Sequence, residues 1–166
     1  LSAAVLPVHP PVRHVVDIEP TPTPAPIPPP AIPIRAPRPS RPAPPPAATG
    51  STQPALINAD RAAAGLPPLA VSPCLTAVAA QNAARMAAQG YISHQGGAVQ
   101  DLSCHLGNRT GENIGYTSGG PHDALMNSWF MNDAPHRANI LGPFHYVGAV
   151  WVIAGNGTGY LAVEFG

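Results

Sequence analysis

Apolar positions recur at two different intervals along the chain, and the change of interval marks where helices give way to strands. Leu75, Val78, Ala79, Asn82 and Met86 share one helix face at 3.6-residue spacing within Cys74–Gln89. Ser72-Pro73 supplies an N-cap and a first helical residue, and Gly90 supplies the stop. A shorter helix is predicted over Leu56–Ala64, ended by Gly65 before an extended Pro67-Pro68. Another opens at Pro121 and runs from His122 to Met131, with Leu125 and Trp129 expected on its buried face. Asp133 begins a helical turn that closes near Ile140 and Leu141. Between these helices, Tyr91–His94 leads into a polar loop reaching about Thr110. Loops of that length are usually functional or pinned. Phe144–Ala154 and Tyr160–Phe165 are apolar without helical spacing, and Gly155–Gly159 separates them, which reads as a hairpin. Helices followed by a terminal hairpin predict an α+β sandwich, with sheet between helical layers.

The first third of the chain carries no such pattern. Of the 24 prolines, 17 fall between Leu1 and Gly50. Proline locks φ and removes a backbone donor, so neither helix nor sheet interior propagates there. Residues 1–54 therefore read as a disordered, proline-rich arm, and residues 55–166 as the folded domain. The chain opens on Leu1 rather than Met, as a processed product would.

Charge narrows the range of partners. Formal net charge is zero, with eight arginines, no lysine and eight carboxylates. No basic stripe interleaved with aromatics exists, so nucleic acid is not an expected partner. No stretch approaches the roughly 20 apolar residues of a membrane span. Gly155-Asn-Gly-Thr-Gly159 lies between two strands rather than before a helix, so it is turn chemistry and not a phosphate cradle. Cys74 and Cys104 are the only cysteines. They are either buried thiols or a disulfide, and pairing is the expectation in a loop-rich exported domain.

Several short motifs occur in a telling order. Asn58-x-x-Arg61-x-x-x-Gly65 is followed by Leu69, the helix ending near Met86, Ser93-His94 and Gly111-Glu-Asn-Ile114. Trp129, His136-Arg-Ala-Asn-Ile-Leu141, Val147-Gly148 and Val163-Glu-Phe165 complete the series. The series resembles the bacterial branch of the CAP superfamily: cysteine-rich secretory proteins, antigen 5 and pathogenesis-related 1 proteins, also called SCP domains. The resemblance covers nearly all of residues 56–166 and none of the arm. It implies a three-layer α-β-α sandwich with a central antiparallel sheet, and a surface cleft lined by two histidines and two acidic residues. The matching positions are His94, Glu112 and His136. The second acidic position, three residues after Trp129, is Asn132, with Asp133 beside it, so that member is replaced or shifted.

These residue types allow two chemistries. Neutral imidazoles at His94 and His136 suit a weakly held zinc ion, with Glu112 as third ligand or as orienter of a bound water. The competing reading is that the same groups hydrogen-bond loops onto the sheet. No Gly-x-Ser-x-Gly elbow exists, and Ser93 adjoins His94 in extended chain, where neighbouring side chains point apart. His105, His122 and His145 are expected outside the cluster, and Trp129 and Trp151 in the core. The leading expectation is a secreted or envelope-associated, monomeric binding module. Its ligand-binding residues are expected to be His94, Glu112, Asn132 and His136, and the resemblance implies a small apolar molecule or an envelope component as ligand. The alternative is a metal-assisted hydrolase using His94, Glu112 and His136 as catalytic residues.

Overall fold

The computed structural model describes residues 47–166. The elements are β1 (Ala47–Gly50), α1 (Gln53–Ala63), β2 (Ala70–Val71), α2 (Pro73–Gln89), α3 (Gly97–Leu102), β3 (Gly111–Thr117), α4 (Asp123–Asn132), α5 (Ala134–Ile140), β4 (Tyr146–Ile153) and β5 (Gly159–Phe165). The sheet runs β1-β4-β5-β3, with β2 also joined to β4. β2 pairs parallel to β4 and every other pairing is antiparallel, so the sheet is antiparallel apart from this two-residue addition. One core packs α1, α4 and α5 against the sheet through Ile57, Met126, Phe130, Ile140, Trp151 and Phe165. The other packs α2 through Ala79, Ala83 and Met86 against Ile114, Val150 and Ala162. The result is the expected α-β-α sandwich. β5 lies between β4 and β3 and is covered on both faces, so all seven of its residues are buried. This explains the near-continuous apolar run Tyr160–Phe165.

The capping signals act as read. The Ser72 side chain accepts from the Leu75 N–H at 3.3 Å, Pro73 occupies the first helical turn, and Gly90 ends α2 at φ 80°. The Gly155–Gly159 segment closes the β4–β5 hairpin. Cys74 and Cys104 form a disulfide, which ties the start of α2 to the residues just after α3.

Three expectations need correction. Of the arm assigned to residues 1–54, residues 1–46 lie outside the described residues, but 47–54 belong to the fold. Ala47–Gly50 contain no proline and pair antiparallel with Val150–Ile153. Asp123 then accepts from Ser51 and Thr52, and α1 starts at Gln53 with Pro54 in its first turn. Second, the supposed loop after His94 contains α3, a single helical stretch whose N-cap glycine offers no side-chain signal. Third, α4 is rotated by one position from the predicted face: Met126 and Phe130 are buried, while Leu125 and Trp129 are 45% and 54% exposed. Both pairs are spaced i, i+4, so periodicity alone cannot choose between adjoining apolar stripes. Trp151, by contrast, is fully buried as expected.

Candidate functional site

The strand β3 organises the site. Among the described residues its partner is β5 on one side only, and no strand pairs with its other edge. Alternate residues face opposite layers: Glu112 and Ile114 point toward α2, whereas Asn113 and Gly115 point toward α4 and α5. A cleft opens along this edge, drawing residues from both layers.

On the α2 side, His94 and Glu112 form a pair. The His94 Nδ1–H donates to Glu112 Oε2 at 2.5 Å; the imidazole is 60% exposed and the carboxylate 6%. Asn82 Nδ2 donates to Glu112 Oε1 at 3.2 Å. The backbone of Gly97 presses on the same carboxylate, and a Cβ there would stand 2.7 Å from Oε1. Glycine at 97 is thus needed for α3 to lie over Glu112. Ser93 Oγ accepts from Arg85 Nη1 at 2.6 Å, so Ser93 is occupied by α2 and not by His94.

On the other side, the His136 Nδ1–H donates to Asp133 Oδ2 at 2.6 Å, and the ring packs 5.0 Å from that of Phe130. Two asparagines hold α5 to β3. Asn113 Nδ2 donates to His136 O at 3.0 Å, and Asn139 Nδ2 donates to Asn113 Oδ1 at 2.8 Å. Asn139 Nδ2 also reaches Glu112 O at 3.2 Å. The Glu-Asn and Ala-Asn motifs are therefore the clamp that seats His136 beside the strand.

Beside the His136–Asp133 pair lies a cavity of about 190 Å³, lined mainly by Ile92, Ile114, Tyr116, Met126, Trp129 and Phe130, with Asp133 and His136 at its polar end. Tyr116 stacks on Tyr160 at 6.2 Å and extends the apolar surface toward Tyr91. Leu125 and His122 extend it on the opposite side.

Asn132 does not join the site. Its amide bonds back to Ser128 O in α4, and Asp133, one residue later, delivers the carboxylate to His136. The acidic member is shifted rather than lost. His94 and Glu112 do not line this cavity, and the four groups form two hydrogen-bonded pairs, His94 with Glu112 and His136 with Asp133. No group of three or more His, Cys, Asp or Glu side chains among the described residues is spaced to hold a metal ion. His94 and His136 each give Nδ1 to a carboxylate, which orients the ring and leaves Nε2 free. Of the other histidines, His122 borders the outer groove, while His105 and His145 are exposed away from the cleft.

A buried polar cluster behind Glu112 was not anticipated. Asn82 Nδ2 also donates to Glu164 Oε1 at 2.7 Å, and the Asp101 carboxyl of α3 lies against Glu164. Glu164 is fully buried and Asp101 2% exposed. Burial first, then the charges of Asp101 and Glu112, pushes the Glu164 carboxyl up to about 9. Burial likewise raises Asp101. Glu164 had one sequence signal, being the single charge in an apolar strand; Asp101 had none.

Comparison with known proteins supports the architecture. The model of the cysteine-rich secretory protein family, CAP, matches residues 55–165. An outer surface protein from Borrelia burgdorferi superposes with a TM-score of 0.56 at 17% identity, over 68% of this chain and 87% of that one. A cysteine-rich secretory protein from Staphylococcus aureus gives 0.53 at 21% identity, over 69% of this chain and 36% of that one. No curated protein matches the chain by sequence. Among the described residues, no helix is long and apolar enough to cross a membrane.

Proposed function

Since this chain belongs to the cysteine-rich secretory protein family, CAP, and carries an open apolar cleft on the edge of β3, we propose that it is a non-catalytic binding module of the cell envelope or extracellular space. The ligand is a small apolar molecule with a polar end, such as a fatty acid. The observation that carries this reading is Trp129. It is 54% exposed, yet it lines a cavity with Ile92, Ile114, Met126 and Phe130. Large apolar side chains grouped at a surface mark interaction sites. The cavity, about 190 Å³, is smaller than the roughly 300–1,000 Å³ that encloses a drug-sized molecule. It therefore suits the end of an alkyl chain, whose polar head lies at the open rim on the His136 side. The disulfide supports an oxidising compartment, and the Borrelia neighbour's surface location points the same way.

The test is a titration of the full chain with palmitate, read by tryptophan emission and by calorimetry. Trp151 is buried, so a blue shift on binding reports Trp129. Saturable binding is expected, and Trp129→Ala should weaken it about 30-fold, as truncating a central aromatic anchor costs about 2 kcal/mol. Absence of saturable heat, or equal binding by Trp129→Ala, would refute the reading.

A further inference from the structure

The connection from α2 to β3 is fastened at three places. Arg85 binds Ser93 through its side chain and backbone at 2.6 and 2.8 Å near the beginning. The disulfide binds Cys104 at the end. Between them, α3 is held by Asp101, which enters the protein against Glu164. Both Asp101 oxygens and Glu164 Oε2 are buried and, among the described residues, receive no hydrogen bond from any ordinary donor. Two ionised carboxylates cannot satisfy each other, because both are acceptors only. One proton between them resolves the conflict: the protonated oxygen donates to its neighbour, and the remaining Glu164 oxygen keeps its bond from Asn82.

We propose that α3 is a proton-operated latch, in which a single proton shared by Asp101 and Glu164 holds the α2–β3 connection against the sheet, and loss of that proton releases it. This device is independent of what the cleft binds. The charged group facing the pair from β3 is Glu112, whose own partner is His94. From α2 comes the neutral Asn82, its Arg85 being engaged by Ser93. β5 contributes Glu164 itself. Deprotonation thus gathers three carboxylates around one asparagine amide, in a place water does not reach. α3 is the element free to yield, because Glu112 and Glu164 are paired residues of adjacent strands. Its departure also lifts Gly97 from the Glu112 carboxylate, so the latch governs how firmly His94 is held.

The direction with pH follows from proton counting. The ordinary values are 3.8 for Asp101 and 4.5 for Glu164, and both are raised in the folded protein, Glu164 to about 9. Above the ordinary values the native state holds more protons than the opened one, so the latch is fully closed at low pH and weakens as pH rises toward 9.

The experiment is hydrogen exchange of the peptide spanning residues 97–104 between pH 5.5 and 9, corrected for the intrinsic exchange rate, on the full wild-type chain, Glu164→Gln and Asp101→Asn. For wild type, protection should fall by up to about tenfold per pH unit from pH 5.5 upward, the limit for release of one proton on opening, and level off near pH 9 where the closed pair itself loses the proton. Glutamine retains the donor that the shared proton provided, so Glu164→Gln should keep its protection at pH 9. Asp101→Asn should do the same, which keeps the test open should one variant fail to fold. Wild-type protection independent of pH, or a pH dependence unchanged in both variants, would overturn the latch.

Discussion

Replacing Gly148 by alanine should disable the fold more severely than any comparably small change elsewhere. Gly148 lies in β4 on the face covered by α2. A Cβ there would stand 2.7 Å from the Leu75 carbonyl oxygen, and closer still to the Leu75 carbonyl carbon and the Thr76 amide nitrogen. All three are backbone atoms of the first turn of α2, so no side chain can rotate aside. Relief requires α2 to retreat by on the order of 1 Å to recover ordinary van der Waals separation. The helix start is held in place by the Ser72 N–H, which donates to Val147 O at 2.9 Å, and by the Cys74–Cys104 bond. Overpacking a core by one methyl usually costs about 1–3 kcal/mol. Here the retreat also loosens the packing of α2 along β4 and β5, so a loss of about 3 kcal/mol or more is expected. At roughly 4 °C per kcal/mol for a domain of this size, Tm should fall by about 12 °C or more. The control is Gly50→Ala, where a Cβ meets nothing within 4 Å; its Tm should stay level or rise slightly. Thermal and urea unfolding of both variants would decide it. A Gly148→Ala protein within about 3 °C of wild type would refute the argument that backbone contact sets this residue.

Two further predictions test other fastenings. The Cys74–Cys104 bond spans a sequence separation of 30, which the chain-entropy relation values at about 3.5–4 kcal/mol. The double serine variant should lose about that much in urea unfolding, and an unchanged midpoint would show that the loop is ordered without it. Arg61 is 2% exposed and donates to the carbonyls of Pro67, Ile140 and Gly142 at 2.8–2.9 Å. Arg61→Met keeps the volume but strands three acceptors at about 1–3 kcal/mol each, so a loss of at least about 3 kcal/mol is expected; Arg61→Lys should recover only part, because its donors radiate from one point.

Local chemistry was legible in the amino-acid sequence wherever a residue's role is set by its immediate neighbours. The Ser72-Pro73 start and Gly90 stop of α2, the glycine-rich hairpin turn and the buried run of β5 all depend on backbone geometry within a few residues. The motif series carried the family and the sandwich, and it named His94, Glu112 and His136. Other features depend on where separate segments meet. β1 exists because Val150–Ile153 lie beside it, a pairing no nearby residue announces. The choice of Phe130 over Trp129 as the buried aromatic depends on a rotation of α4 that only its seat on the sheet determines. Asp133 rather than Asn132 serves His136 because the chain turns between α4 and α5, sending adjacent side chains in different directions. The carboxyl cluster joins residues 82, 101, 112 and 164 from four elements. Periodicity records how strongly a face avoids water. It does not record which buried polar group will stand opposite another, and that is decided by tertiary packing.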